Sequence, residues 1–148
     1  FFDYGYFAKT TDGKVIPTRD FSGIENLKAV TYAYKYNVHY WNEAVKPAGI
    51  YNVPIQIVPE VNPLTLRRGD TLQLRIYKDG APYANAPVIA DVLGDLTNET
   101  QADANGYVSV RIANNGLNVI GVEVGFPTDN PIVTKKIFSS LSFIIPAE

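Results

Sequence analysis

The sequence predicts an all-β chain, and three observations carry that prediction. Its strongest hydrophobic patterning alternates with a period of two, the spacing of a strand with one buried face. Clusters of Gly, Asn, Asp and Pro separate the alternating stretches, as turns do. Ten Pro and eleven Gly residues are spread over the 148 positions, where they would break long helices.

From the amino terminus, Tyr4 to Thr10 and Lys14 to Pro17 flank Asp12-Gly13, a hairpin signal. A long strand follows from Val30 to Trp41. It sets Val30, Tyr32, Tyr34, Tyr36, Val38 and Tyr40 against Thr31, Ala33, Lys35, Asn37, His39 and Trp41. Asn42 to Gly49, which carries Lys46-Pro47, reads as a loop into the next block.

The clearest block runs from Ile55 to Ile145. Leu72, Leu74 and Ile76 share one face, and Asp79-Gly80 ends that strand in a turn. Pro82 and Pro87 bracket a short edge-like segment, after which Val88, Ala90 and Val92 again share a face. After a polar run, Asp103-Ala104-Asn105-Gly106 reads as a tight hairpin connection into Val108, Val110 and Ile112. Asn114-Asn115-Gly116 precedes Ile120, Val122 and Val124. The last strand turns Leu141, Phe143 and Ile145 inward and Ser140 and Ser142 outward. Strands at this spacing predict an antiparallel immunoglobulin-like or prealbumin-like β-sandwich. It spans 51–148, behind an aromatic-rich N-terminal β extension over 1–50 that reads as the remnant of a preceding β-domain.

Composition narrows the function. The net charge of -2 and a pI near 5.4 argue against a nucleic-acid partner, which needs clustered Lys and Arg. The densest basic pairs, Arg67-Arg68 and Lys135-Lys136, read as solvated strand ends. No apolar run approaches the roughly 20 residues of a membrane helix. Cysteine is absent, which removes disulfides, thiolate metal sites and cysteine nucleophiles together. Methionine is absent too, so Phe1 is expected to follow a removed leader or to lie inside a longer chain.

Catalysis finds little support. There is no glycine-rich phosphate loop, nucleophile elbow or zinc-protease helix, and the single histidine has no triad partner nearby in sequence. The expectation is that the chain is not an enzyme. Asp91, Asp95, Glu99, Asp103 and Asn105 would suit a hard cation, but they match no EF-hand loop and read better as turn residues. His39 is the candidate metal ligand, since neutral imidazole suits nickel, cobalt, copper and zinc. Tyr32, Tyr34, Tyr36, Tyr40 and Trp41 form a candidate ligand or partner surface, with sheet packing as the competing reading.

The order of several short motifs resembles a known family. They are Gly5-Tyr6-Phe7-Ala8-Lys9-Thr10-Thr11-Asp12-Gly13-Lys14, Ile57-Val58-Pro59-Glu60, Asn62-Pro63, Gly69-Asp70, Asp79-Gly80-Ala81-Pro82, Ala86-Pro87-Val88, Asp103-Ala104-Asn105-Gly106, Asn115-Gly116-Leu117 and Ser140-Leu141-Ser142-Phe143. Together they resemble a bacterial exported domain-of-unknown-function family associated with nickel and cobalt uptake. That resemblance implies a non-enzymatic periplasmic or envelope protein, with Ni or Co as its ion. A metal-uptake transporter or a missing N-terminal domain would be its partner. Family members carry a preceding β-domain with histidine motifs that have no counterpart before Phe1. The alternative reading is a structural or adhesive immunoglobulin-like module that recognises protein or carbohydrate.

Overall fold

The computed structural model describes residues 1–47 and 53–147. The boundary expected between 50 and 51 lies outside the described residues, as does the end of the Asn42–Gly49 loop. The fold is all-β. Among the described residues eleven strands are formed: β1 (Phe2–Thr10), β2 (Val15–Thr18), β3 (Leu27–Tyr40), β4 (Ile55–Pro59), β5 (Thr71–Lys78), β6 (Ala81–Pro82), β7 (Pro87–Asp91), β8 (Asp95–Gln101), β9 (Tyr107–Arg111), β10 (Gly116–Pro127) and β11 (Val133–Ile145). A single turn of 3-10 helix covers Pro63–Thr65.

The chain divides into two compact units. One comprises Phe1–Tyr36 with Glu123–Phe138, and the other Asn37–Val122 with Ser139–Glu148. The N-terminal residues are therefore completed by a segment from far along the chain. In the first unit the strand order is β2-β1-β3-β11-β10. β1 meets β3 antiparallel, Tyr6 opposite Tyr32 and Ala8 opposite Val30, with a bulge between Asp3 and Gly5. Gly5 suits that bulge because its φ is +74°, a region that favours a residue without Cβ. The core here is small: Ala8, Val30 and Val133, with Tyr6, Phe21, Ile24 and Leu27 packed around them.

The second unit is the sandwich. One sheet has β5 at its centre, with β4 on one side and β9 and β6 on the other. The other runs β3-β11-β10-β7-β8. Leu72, Leu74, Ile76, Val88, Leu141 and Phe143 are fully buried between them, as the alternation predicts. Buried Ser139 donates a hydrogen bond to the Ile55 carbonyl at 2.9 Å, tying one sheet to the other.

Two features depart from the expected pattern. First, β3 and β11 run parallel: Asn37 meets Ser140 and His39 meets Ser142, so contacts climb both strands together. A parallel pair needs a long crossover, and here the chain between Tyr40 and Val133 supplies it. Second, Asp103–Gly106 does not join paired strands. β8 pairs with β7, whereas β9 pairs with β5 in the opposite sheet. The turn itself is tight, with the Asp103 N–H donating to the Tyr107 carbonyl at 2.8 Å. It is an arch between sheets because Ala102 and Val108, at its two ends, are both drawn into the core.

Candidate functional site

In the first unit, β1 and β3 build a ladder of aromatic rings. Phe1, Tyr36, Tyr34, Tyr32, Tyr6 and Phe21 touch in series, with centroid separations of 4.8 to 5.9 Å along it. Strand periodicity explains the row, since Tyr32, Tyr34 and Tyr36 are two residues apart and project to one face. The rings incline to one another by 43° to 77°, so their edges and faces are largely spent on neighbours. Tyr34 is only 5% exposed. The Lys135 ammonium lies 5.0 Å from the Tyr34 ring centre. Tyr32 and Tyr36 are half-buried, and loss of water around Tyr36 raises its phenol pKa.

One polar cluster joins the ladder at Tyr32. The Tyr32 hydroxyl donates to Asp3 Oδ2 at 2.7 Å, the Gly5 N–H to Asp3 Oδ1 at 2.8 Å, and Arg19 Nη1 lies 3.3 Å from Asp3 Oδ1. The Tyr32 bond, then the Gly5 bond, hold the Asp3 carboxyl below the ordinary carboxylate range. The same contact raises the Tyr32 phenol above its ordinary value.

The opposite face of this unit is more open. Phe2 is 63% and Tyr4 46% exposed. Lys35, on β3, places its ammonium 5.3 Å from the Tyr4 ring centre and 5.1 Å from that of Phe138. Each cation–π contact of this kind contributes about 0.5–1 kcal/mol at exposed sites.

The second unit holds His39, Tyr40 and Trp41. Tyr40 is 5% exposed and belongs to the core, whereas Trp41 is 77% exposed. His39 is exposed and its Nδ1 lies 2.8 Å from Ser142 Oγ. Ser142 Oγ in turn donates to Asn37 Oδ1 at 3.1 Å, and Ser140 Oγ to the same oxygen at 2.9 Å. His39 Nδ1 and Ser142 Oγ share a hydrogen bond whose donor follows the imidazole tautomer. Ser140 and Ser142 occupy the outer face, as expected, yet they are only 9% and 6% exposed because they are short hydroxyls flanked by longer side chains such as Asn37 and His39.

Among the described residues no three His, Asp or Glu side chains gather into a group that could hold a metal ion. Of the acids considered for cation binding, Asp91, Asp95 and Asp103 serve turns, and Glu99 lies within β8. Asp91 Oδ1 accepts from the Gly94 N–H and the Asn114 amide, Asp95 Oδ1 from Thr97, and Asp103 Oδ1 from the Asn105 and Tyr107 N–H groups. Sequence reasoning missed Ser142 as the partner of His39, and Asn37 and Ser140 as the groups bonded behind it. Parity placed Asn37 and His39 on one face, but nothing local indicated a strand about a hundred residues away.

Residues 2–125 match the family described as Domain of unknown function (DUF4198). No curated protein and no solved structure matches the chain.

Proposed function

We propose, from the premise that the chain belongs to the DUF4198 family of domains of unknown function, that it is a non-enzymatic binding or accessory domain of the bacterial cell envelope. The envelope location rests on the resemblance to an exported family. The binding role rests on one observation, the open aromatic face of the first unit around Phe2, Tyr4, Lys35 and Phe138. Large apolar side chains grouped in water mark an interaction surface. The partner is a protein more than a sugar. Tilted rings such as Phe2 and Tyr4, inclined by 44°, offer pockets for side chains, not the flat platform a pyranose needs.

The test is a panel of peptides and glycans titrated into the chain, with backbone amide shifts followed in the first unit. Peptide-induced shifts on β1 that vanish in Phe2→Ser/Tyr4→Ser support the reading. Spectra that stay still across both panels overturn it.

A second reading, handling of nickel or cobalt, has its own observation in its favour. His39 is exposed and its Nδ1 is hydrogen-bonded to Ser142 Oγ, and metal-ligating histidines commonly hold one ring nitrogen in a bond of this kind. A single imidazole would supply one ligand of a site completed by another chain, such as an uptake transporter or a preceding domain. Calorimetry with Ni²⁺ and Co²⁺ decides: heat lost in His39→Ala supports this role, and heat absent or unchanged in the variant sinks it.

A further inference from the structure

At one end of the second unit an open groove of about 940 Å³ has no place in either reading above. Its apolar part is formed by Leu64, Leu66, Ile145 and Pro146, and its polar part includes Arg67, Arg68, Asn115 and Glu43. The volume is within the range of a small-ligand site, and the lining is more polar than apolar.

The wall carrying the arginines is held firmly. Asn62 is 7% exposed; its Oδ1 accepts from the Leu64 N–H at 3.0 Å, and its Nδ2 donates to the carbonyls of Asn42 and Val45 at 2.8 and 2.7 Å. The same hub therefore fastens both the Pro63–Thr65 turn and the segment that carries Glu43. Further along, the Arg67 N–H donates to Asp70 Oδ2 at 2.8 Å, and the Gly69 N–H to the Ile112 carbonyl at 2.9 Å. A loop with its backbone bonded at this many points loses little freedom when a ligand arrives.

Arg68 is preset in the same manner. Its Nε donates to the Ala113 carbonyl at 3.1 Å, which fixes one edge of the guanidinium. Among the described residues no hydrogen bond engages its two terminal nitrogens, the Asn115 amide or the Glu43 carboxylate. A guanidinium held by Nε and open at Nη matches a carboxylate through paired N–H donors. Glu43 on the same groove disfavours a second acid on the ligand and accepts N–H donors. The Asn115 amide both donates and accepts, as a peptide group does.

We propose that this groove is a binding site for a short peptide with a free C-terminal carboxylate. The carboxylate pairs with Arg68, the side chains lie against Leu64, Leu66 and Pro146, and the peptide N–H groups face Glu43 and Asn115. The site is separate from the aromatic face and from His39, so its failure would leave the proposed function intact.

The experiment titrates the whole chain calorimetrically with N-acetyl-leucyl-leucine and with its C-terminal amide. The acid should bind at least tenfold more tightly than the amide, with shifts at the Leu64 and Leu66 methyl groups. Arg68→Gln should abolish the preference. Arg75→Gln, which removes a guanidinium stacked between Tyr77 and Tyr107 elsewhere in the unit, should keep it. Equal binding of acid and amide, binding of neither, or a preference that survives Arg68→Gln would each overturn the proposal.

Discussion

Single residues in this protein act by joining segments that the chain keeps apart. Asn62 is the plainest case, since one buried amide holds the carbonyls of the 42–45 segment and caps the turn that follows it. Replacing it with Ala should leave these groups unpaired and cost about 2–3 kcal/mol. Chemical denaturation would measure that loss, and a change under about 0.5 kcal/mol, as for an ordinary surface position, would refute the role. Asp3 and Tyr32 make a second junction, with a pH signature. The Asp3 pKa is lowered by folding, so its contribution is present above the ordinary value of 3.8 and fades as pH falls through the folded pKa. The Tyr32 pKa is raised, so its contribution is complete below 10.0 and fades as pH rises through the folded value. Asp3→Asn should therefore flatten the acid limb of the stability curve, and Tyr32→Phe the alkaline limb. Thermal melts from pH 2 to pH 11 would show both.

Strands and turns were legible where their chemistry is local. Leu72, Leu74 and Ile76 alternate with polar neighbours, and all three are buried without remainder. Asp79 and Gly80 both take positive φ, as the Asp-Gly signal implies. β8 left no such trace. All seven of its residues are exposed, so no apolar alternation betrays it, and only pairing with β7 defines it. The Asp103–Gly106 turn was legible as a turn but not as an arch, because the same Asp and Gly chemistry closes both. Its Gly106 has φ +82°, and a Cβ there would meet the Ile76 carbonyl oxygen at 2.7 Å. Gly106→Ala should cost about 2–4 kcal/mol, from left-handed strain plus a backbone clash. A variant as stable as the parent would show that the arch yields. The groove at Arg68 was illegible for a related reason: Ala113 and Ile145 reach it only through the folded sandwich.

At the scale of the molecule the two units differ in how much they bury. The second has Ile55, Leu72, Leu74, Ile76, Leu141 and Phe143 inside, each under 2% exposed, whereas the first gathers its core around Ala8, Val30 and Val133. Local stability follows buried apolar contact, so amide exchange should be slowest in β5 and faster in β1 and β2. Phe143→Ala should cost about 3–5 kcal/mol and speed exchange throughout the sandwich. Protection as strong in β2 as in β5 would contradict the division. The sequence suggested two parts, but the first unit recruits Glu123–Phe138 through strand pairing that no local pattern announces.

The parallel pairing of β3 with β11 has a consequence during synthesis. His39 and Ser142 are separated by 103 positions, so at about 5–20 residues per second β3 leaves the ribosome roughly 5–20 s before its partner exists. For that interval the tyrosine-rich strand has one edge unmatched, the condition under which nascent chains stick to one another. A helper that shields extended aromatic segments would then matter more to the yield of this protein than to its final stability.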